Sequence, residues 1–400
     1  MQNLLSDRIN ALEESATIAM AQKARELKAK GVDVISLSLG EPDFKTPKHI
    51  QDAAKTAIDE GKYFSYPPVP GYPELRKGIA EKIKKDNGID CTENNIVVSN
   101  GGKHSIANVM MCLLNPGDEV IVFAPYWVSY IEIIKLAEGV PVIVGADIDH
   151  DFKVSAEQVK AAITDKTKAV IFSSPCNPTG AVFSKKEFEA IADVLRPHKN
   201  IMVVADEIYE YINFTSEGHI SFATIDGMAE RTVTVNGFSK GYAMTGWRLG
   251  YICAPEWMAK ACNKMQGQFT SGVCSIAQRA ALAAVTGDMT PTHQMAETYQ
   301  KRRQLVLDLL EQIPGVKSNQ PEGAFYVFPD VSFYFGKSDG EHTVNNASDL
   351  AMYILNTAHV STVTGEAFGA PECIRISYAA SDDDLKEALK RMKNALAKLK

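Results

Sequence analysis

The chain is poor in cysteine: seven in 400 residues, scattered, with no Cys-x-x-Cys pair. That excludes a disulfide framework and removes the usual zinc-ribbon spacing. Basic residues are the minority, 42 Lys and Arg against 49 Asp and Glu, for a formal charge of -7 and a pI of about 5.7. A nucleic-acid protein carries a basic patch or stripe, which this balance does not favour. No uncharged apolar run approaches the roughly 18 residues of a membrane span. Met1 to Ala11 is mixed polar with no apolar core, so no secretory signal is expected, and a reduced, cytoplasmic protein is. The eight histidines form no HExxH or HxH pair, so no metal is expected. No GxxxxGK[ST] loop occurs, and no GxGxxG follows a strand.

What is present is ordinary globular composition, 45% hydrophobic and 23% charged. The pattern alternates helices with strands. Ile9 to Lys30 reads as a helix stopped by Gly31, and Val32 to Leu39 as a short β-rich run. Pro73 to Lys85 suits a helix with proline in its first turn. β-rich runs follow at Ile96 to Ser99, Glu119 to Ala124, Val140 to Val144, Ala169 to Ser173, Ile201 to Ala205 and Thr232 to Asn236. Several are near-continuous Val, Ile and Phe, as in strands covered on both faces. Helical stretches such as Ser105 to Leu114 and Lys185 to Leu195 lie between them, which predicts an α/β fold with a mostly parallel sheet. After about residue 290 the texture changes. Thr298 to Gln312 is a long amphipathic helix pattern, Ala324 to Phe328 and Cys373 to Tyr378 read as strands, and Asp382 to Lys400 as a last helix. Leu385, Leu389, Met392 and Leu396 share one face of it, and Ser381 is its expected N-cap. The expected division is an arm at 1–14, a small α+β domain from 15–47 with 291–400, and a large domain at 48–290.

Five strand ends carry chemistry, at the edge where open α/β sheets place ligands. Asn100-Gly101-Gly102-Lys103 opens a helix, offering free N–H groups to an anion. Pro125-Tyr126-Trp127-Val128-Ser129-Tyr130 is an aromatic cluster that suits core packing or stacking on a planar ring. Asn177 sits in a Pro-rich turn. Asp206 closes an apolar strand, where an acid often serves as an N-cap but can also hold a nitrogen heterocycle protonated. Lys240 follows another strand, with Arg248 eight residues on. A lysine there ordinarily reaches to water, but in a pocket near another cation it becomes a nucleophilic amine. Each element alone has a plain structural account. Together they match the needs of pyridoxal 5'-phosphate, which takes a lysine for the Schiff base and an acid for the ring nitrogen.

Over nearly its whole length the chain resembles the fold-type I, class I aminotransferases, and within them the bacterial aspartate aminotransferases of subgroup Ib. The resemblance rests on SLSLGEPDF (36–44), YPPVPGYPELR (66–76), NGGK (100–103), PYWVSY (125–130), NPTGAV (177–182), ADEIYE (205–210), SKGYAMTGWRLGY (239–251) and RISYA (375–379). It implies a large domain with a mostly parallel seven-stranded sheet plus a smaller domain, and a homodimer with shared active sites. By position, Lys240 resembles the Schiff-base lysine and proton carrier, and Asp206 the partner of the ring nitrogen. Tyr209 and Asn177 would hydrogen-bond the cofactor's phenolate oxygen, and Trp127 would stack on its ring. The N–H groups of Gly102 and Lys103, with Ser239 and Arg248, would hold the phosphate, and Tyr66 would reach the phosphate of the neighbouring subunit. Arg375 would clamp the substrate α-carboxylate with help from the Gly40 N–H and Asn177. Lys103, Ser15 and Thr17 would read a distal carboxylate.

The implied reaction is amino exchange between L-aspartate and 2-oxoglutarate, on small amino-acid and 2-oxo-acid substrates. A broader aromatic or prephenate aminotransferase, or a lyase acting at Cβ, keeps the same fold and cofactor. A cofactor-sensing regulator would need an added DNA-binding module, for which the pattern from Ser15 onward leaves no room. Departures from the subgroup pattern stand at His104, Cys176, Val363-Thr364-Gly365, and Gly237, where some aminotransferases carry a phosphate-binding serine.

Overall fold

The computed structural model describes residues 4–400. The expected single helix from Ile9 to Lys30 is two pieces, a turn at Asp7–Asn10 and α1 (Ala16–Ala29), separated by the non-helical residues 11–15, with Ser15 extended (ψ 114°) just before α1. The expected strand Val32 to Leu39 shrinks to Ile35–Ser36, because its only ladder is a short parallel one with Val360 and Ser361. The Pro73 helix runs over Pro73–Asn87, and Gly88 in the left-handed region (φ 71°) ends it.

All six predicted strand runs of the central region enter one sheet. They are β1 (Ile96–Ser99), β2 (Glu119–Ala124), β3 (Val140–Gly145), β4 (Thr167–Ser173), β5 (Met202–Asp206) and β6 (Thr232–Gly237). A seventh strand, β7 (Gly250–Cys253), was not among those runs; it is short and opens on glycine. The order is β1-β7-β6-β5-β4-β2-β3. Every pairing is parallel except the two that β7 makes, with β1 and β6. Alternate side chains feed two apolar layers. Val120, Val122, Ile171, Val204 and Val235 pack on one side, and Ile121, Phe123, Val170, Phe172 and Val203 on the other. Burial on both faces explains why the sequence shows continuous apolar runs rather than alternation. Edge strand β3 is only half-buried. Helices α2 (Gly102–Leu113) and α3 (Ser129–Leu136) follow β1 and β2.

Beyond the sheet, α4 (Thr290–Leu310) starts eight residues before the expected Thr298, with Pro291 in its first turn. The predicted strand Ala324 to Phe328 is only β8 (Tyr326–Val327), and the predicted Cys373 to Tyr378 is β10 (Ile374–Ser377). With β9 (Val363–Thr364) they form an antiparallel sheet in the order β9-β10-β8. The last helices are α5 (Ala347–Ala358) and α6 (Asp382–Leu396). Leu385, Leu389, Met392 and Leu396 are buried on α6, and Ser381 caps it by accepting the Asp384 N–H at 3.1 Å. One apolar cluster joins α4, α5, α6, β8 and β10 to Leu37, Tyr209 and Ile212. Tyr209 and Ile212, a few residues beyond β5, thereby pack onto the elements that follow residue 290.

Among the described residues no helix is long and apolar enough to cross a membrane, and no group of three or more His, Cys, Asp or Glu is placed to hold a metal ion.

Candidate active site

A cavity of about 320 Å³ opens at the C-terminal ends of the parallel strands. All but one of the sequence-predicted site residues line it: Ser15, Thr17, Gly40, Gly102, Lys103, Trp127, Asn177, Asp206, Tyr209, Ser239, Lys240, Arg248 and Arg375. The exception is Tyr66, which is 95% exposed and outside the cavity.

Asp206 ends β5. Its Oδ2 accepts the Tyr130 hydroxyl at 2.6 Å, and its Oδ1 accepts the Ile208 N–H at 3.3 Å. Burial pushes its carboxyl up to about 6, and the Tyr130 and Ile208 bonds and the Lys240 charge oppose that rise. Lys240 follows β6 and lines the same cavity. Its Nζ donates to the Gly40 carbonyl. Burial pushes its amine down to about 8, helped by the Arg375 charge and opposed by Glu41 and Asp206. An acid and an amine are thus drawn toward neutrality from opposite sides within one space, a pattern that marks reactive sites.

Arg375, on β10, donates from Nη1 to Asn177 Oδ1 at 2.9 Å and from Nη2 to the Ser38 carbonyl at 2.6 Å. Its Nε is buried without a partner among the described residues. A guanidinium has five N–H donors, so most of this one's capacity stays free for an anion. Tyr209 and Tyr326 share a hydroxyl–hydroxyl bond of 2.7 Å. Gly40 is required here, since a Cβ would lie 2.5 Å from the Tyr326 oxygen.

At the other end, Gly101 (φ 85°) holds the N-cap position of α2, and Ser105 and His104 turn their N–H groups back to its carbonyl. The N–H groups of Gly102 and Lys103 have no acceptor among the described residues, so the helix end faces the cavity with its donors free. Arg248 leans over this turn with its backbone in the left-handed region (φ 56°) and its Nη1 on the Thr245 carbonyl at 2.8 Å. Gly101 leaves room for it, because a Cβ would meet Arg248 Nη2 at 2.5 Å. Lys103 Nζ lies 5.1 Å from the Trp127 ring centroid and forms no ion pair with any described residue. Burial and the Arg248 charge lower its pKa. Ser15 holds the N-cap position of α1, yet its side chain accepts no helix N–H. Both side chains stay available to a ligand.

The donor set fits a group with an anionic end, a flat ring and a basic ring nitrogen. Free N–H groups and Arg248 suit the first, Trp127 the second and Asp206 the third. Sequence reasoning missed two polar lining residues, Tyr326, which lies in a strand pattern that reads as core, and Glu41, inside the quoted GEPDF string. It also missed Tyr130, which stands behind the lining on Asp206 and which the aromatic run made look like packing. Of the departures, Cys176 is buried with Sγ on the Pro125 carbonyl, and His104 Nδ1 accepts the Asn100 N–H at 3.2 Å. Neither reaches into the cavity lining.

A sequence model described as aminotransferase class I and II matches residues 32–392. A Petunia hybrida bifunctional aspartate aminotransferase and glutamate/aspartate-prephenate aminotransferase is 45% identical over 99% of this chain and 83% of its own. The crystal structure of the Rhizobium meliloti aspartate aminotransferase superposes with a TM-score of 0.95, at 39% identity, covering 99% of each chain. That of the Thermus thermophilus aspartate aminotransferase, solved with maleate, gives 0.92 at 40% identity, covering 99% of this chain and 100% of that one.

Proposed function

The chain belongs to the class I and II aminotransferase family, and from that premise we propose that it is an aspartate aminotransferase, exchanging amino groups between L-aspartate and 2-oxoglutarate to give oxaloacetate and L-glutamate. The observation that carries the reading is one cavity in which Lys240, pushed down to about 8, meets Asp206, Arg375 and the unpaired Lys103.

The cofactor in this reading is pyridoxal 5'-phosphate. Gly102, Lys103, Ser239 and Arg248 would hold its phosphate, Trp127 its ring face, Asn177 and Tyr209 its phenolate oxygen, and Asp206 its ring nitrogen. Bound there, it supplies an aldehyde that condenses with amines and a cationic ring that draws electron density from the substrate Cα. The chain's own part is binding and proton handling. Arg375 clamps the α-carboxylate with the N–H donors that Asn177 and Ser38 leave free, and the Gly40 N–H adds to it. That clamp orients the Cα–H toward Lys240. The Lys240 amine, whose pKa lowered to about 8 brings its free-base form within reach near neutral pH, would take the proton from the substrate Cα and return it at the cofactor's aldehyde carbon, two bonds away. Lys103, with Ser15 and Thr17, meets the distal carboxylate. The Lys103 charge without a partner is the physical reason for a dicarboxylic substrate, and maleate in the Thermus thermophilus relative is a dicarboxylate.

Tyr66 is exposed on its own subunit, which suits the proposal that it completes the site of a second copy in a homodimer. The same reading divides the chain into an arm at 1–14, a small domain from 15–47 with 291–400, and a large domain at 48–290, and puts it in the cytoplasm, where its seven free cysteines stay reduced. A second reading, activity on prephenate beside aspartate, is favoured by the name of the Petunia hybrida relative. A substrate panel decides between them: kcat/KM for aspartate, tyrosine, prephenate and cystathionine. Aspartate should lead. Preference for tyrosine, or release of products from cystathionine by Cβ cleavage, would sink the assignment.

A further inference from the structure

Tyr130 belongs to neither the phosphate cradle nor the substrate clamp, yet it touches two of the groups on which the cofactor reading depends. Its hydroxyl donates to Asp206 Oδ2 at 2.6 Å. Its ring meets the Trp127 indole edge to face, with centroids 5.5 Å apart and planes at 87°. Its own backbone N–H returns to the Trp127 carbonyl at 2.9 Å. The side chain is 1% exposed, so it does not swing between partners.

We propose that Tyr130 is a positioning residue: its hydroxyl fixes the Asp206 carboxylate and its ring braces Trp127, so that one side chain sets the ring-nitrogen contact and the ring-face contact together. The inference rests on the reading of the site as a pyridoxal 5'-phosphate site. The geometry supports it in three steps. A carboxylate has about four lone-pair sites. Two at Asp206 are taken, by Tyr130 and the Ile208 N–H, and these hold the carboxyl plane while leaving the others to a ring N–H. A perpendicular ring contact of this kind fixes the tilt of an indole. Tyr130 also lies on the first turn of α3, immediately after the Trp127 loop, so the two rings are held at fixed separation by a short length of backbone.

The hydroxyl's electrical effect has a definite sign. The charged and titratable groups facing Asp206 are Tyr130 from α3, Lys240 from the loop after β6, Cys176 from the Asn177 turn, and Glu207 and Tyr209 from its own segment. Tyr130 and Lys240 favour the carboxylate, and Glu207 disfavours it. Losing the hydroxyl therefore raises the Asp206 pKa. The ionised acid is the form that pairs with a protonated ring nitrogen, so the low-pH limb of cofactor binding moves to higher pH.

The experiment measures pyridoxal 5'-phosphate binding to the cofactor-free full chain, by Trp fluorescence, across pH. Tyr130→Phe should weaken binding at neutral pH by about tenfold, the scale of one hydrogen bond to a charged group, and shift the low-pH limb upward. Tyr130→Leu should weaken it further and reduce the fluorescence change on binding, since the brace on Trp127 is gone too. In an Asp206→Asn background Tyr130→Phe should lose most of its effect. A merely structural tyrosine would give the same loss in both backgrounds and leave the limb in place. Unchanged affinity and limb in Tyr130→Phe, or equal losses in the two backgrounds, overturn the proposal while the wild-type chain still binds cofactor. Failure of the wild-type chain to bind overturns the cofactor reading and this inference with it.

Discussion

Gly237 and Gly250 stand opposite one another at the ends of β6 and β7, and neither has room for a side chain. A Cβ on Gly237 would lie 2.9 Å from Gly250 Cα and 3.0 Å from the Leu249 carbonyl. One on Gly250 would lie 2.3 Å from Gly102 N. The pair lets the sheet end tuck directly under the cradle turn, and it explains why a serine is absent at 237. Gly237→Ser should cost about 1–3 kcal/mol by overpacking and should not tighten cofactor binding. Urea unfolding and cofactor titration check both parts; a stable variant with tighter binding would contradict the geometry.

Lys240→Ala should leave the protein folded but without the yellow colour of bound cofactor and without turnover. Tyr66→Ala should be impaired for a different reason, by damaging the site of the other subunit. Mixing the two unfolded chains and refolding them should then recover roughly a quarter of wild-type activity, because half of randomly formed dimers hold one intact site. No recovery would mean that sites are not shared.

The titration of Lys240 predicts the pH course of cofactor uptake. Below about 8 its amine is mostly protonated and cannot attack an aldehyde, so the rate should climb with pH and level above that value. An exposed lysine would level only near 10.4. The Arg375 charge is the largest cause of the lowering after burial, so Arg375→Gln should move the midpoint upward. Stopped-flow uptake by the cofactor-free chain measures it, and an unmoved midpoint would remove Arg375 from the explanation.

Lys103→Ala should injure dicarboxylic substrates selectively. Loss of one hydrogen bond to a charged group, about 1.5–3 kcal/mol, corresponds to a fall in kcat/KM for aspartate of roughly 10- to 150-fold. Monocarboxylic amino acids should change little. Equal losses across both classes would assign Lys103 to the cofactor alone.

Behind the site, Lys82 pairs with Glu210 four residues beyond Asp206, with both side chains no more than 5% exposed. Asn87 bonds both, accepting from Lys82 at 2.9 Å and donating to Glu210 at 2.6 Å. Glu210→Gln would strand the lysine charge, so a loss of about 3–5 kcal/mol in urea unfolding is expected. Lys82→Met with Glu210→Leu should recover much of it.

The central sheet was legible because a strand covered on both faces is apolar through most of its length, and the β1, β2, β4 and β5 runs show that directly. The same rule hid β7, whose four residues open on glycine. The strong chemical letters, Lys240, Asp206, Asn177 and Arg248, stood out because charged or amide groups at apolar strand ends are costly without a task. Arg375 comes from a strand more than a hundred residues away from any of these, and only packing of the second sheet brings it onto Asn177. Tyr130 and Tyr326 carry no sequence signal that separates them from core aromatics. A hydroxyl's role depends on what it faces, and that is a matter of folding in three dimensions. Composition and local pattern therefore settled the class of fold and pointed to the candidate reactive residues, since burial and charge leave their mark on each position. Which groups met, at what distance and with which pKa, was decided by tertiary contacts, because desolvation and Coulomb energy depend on neighbours that the chain order does not specify.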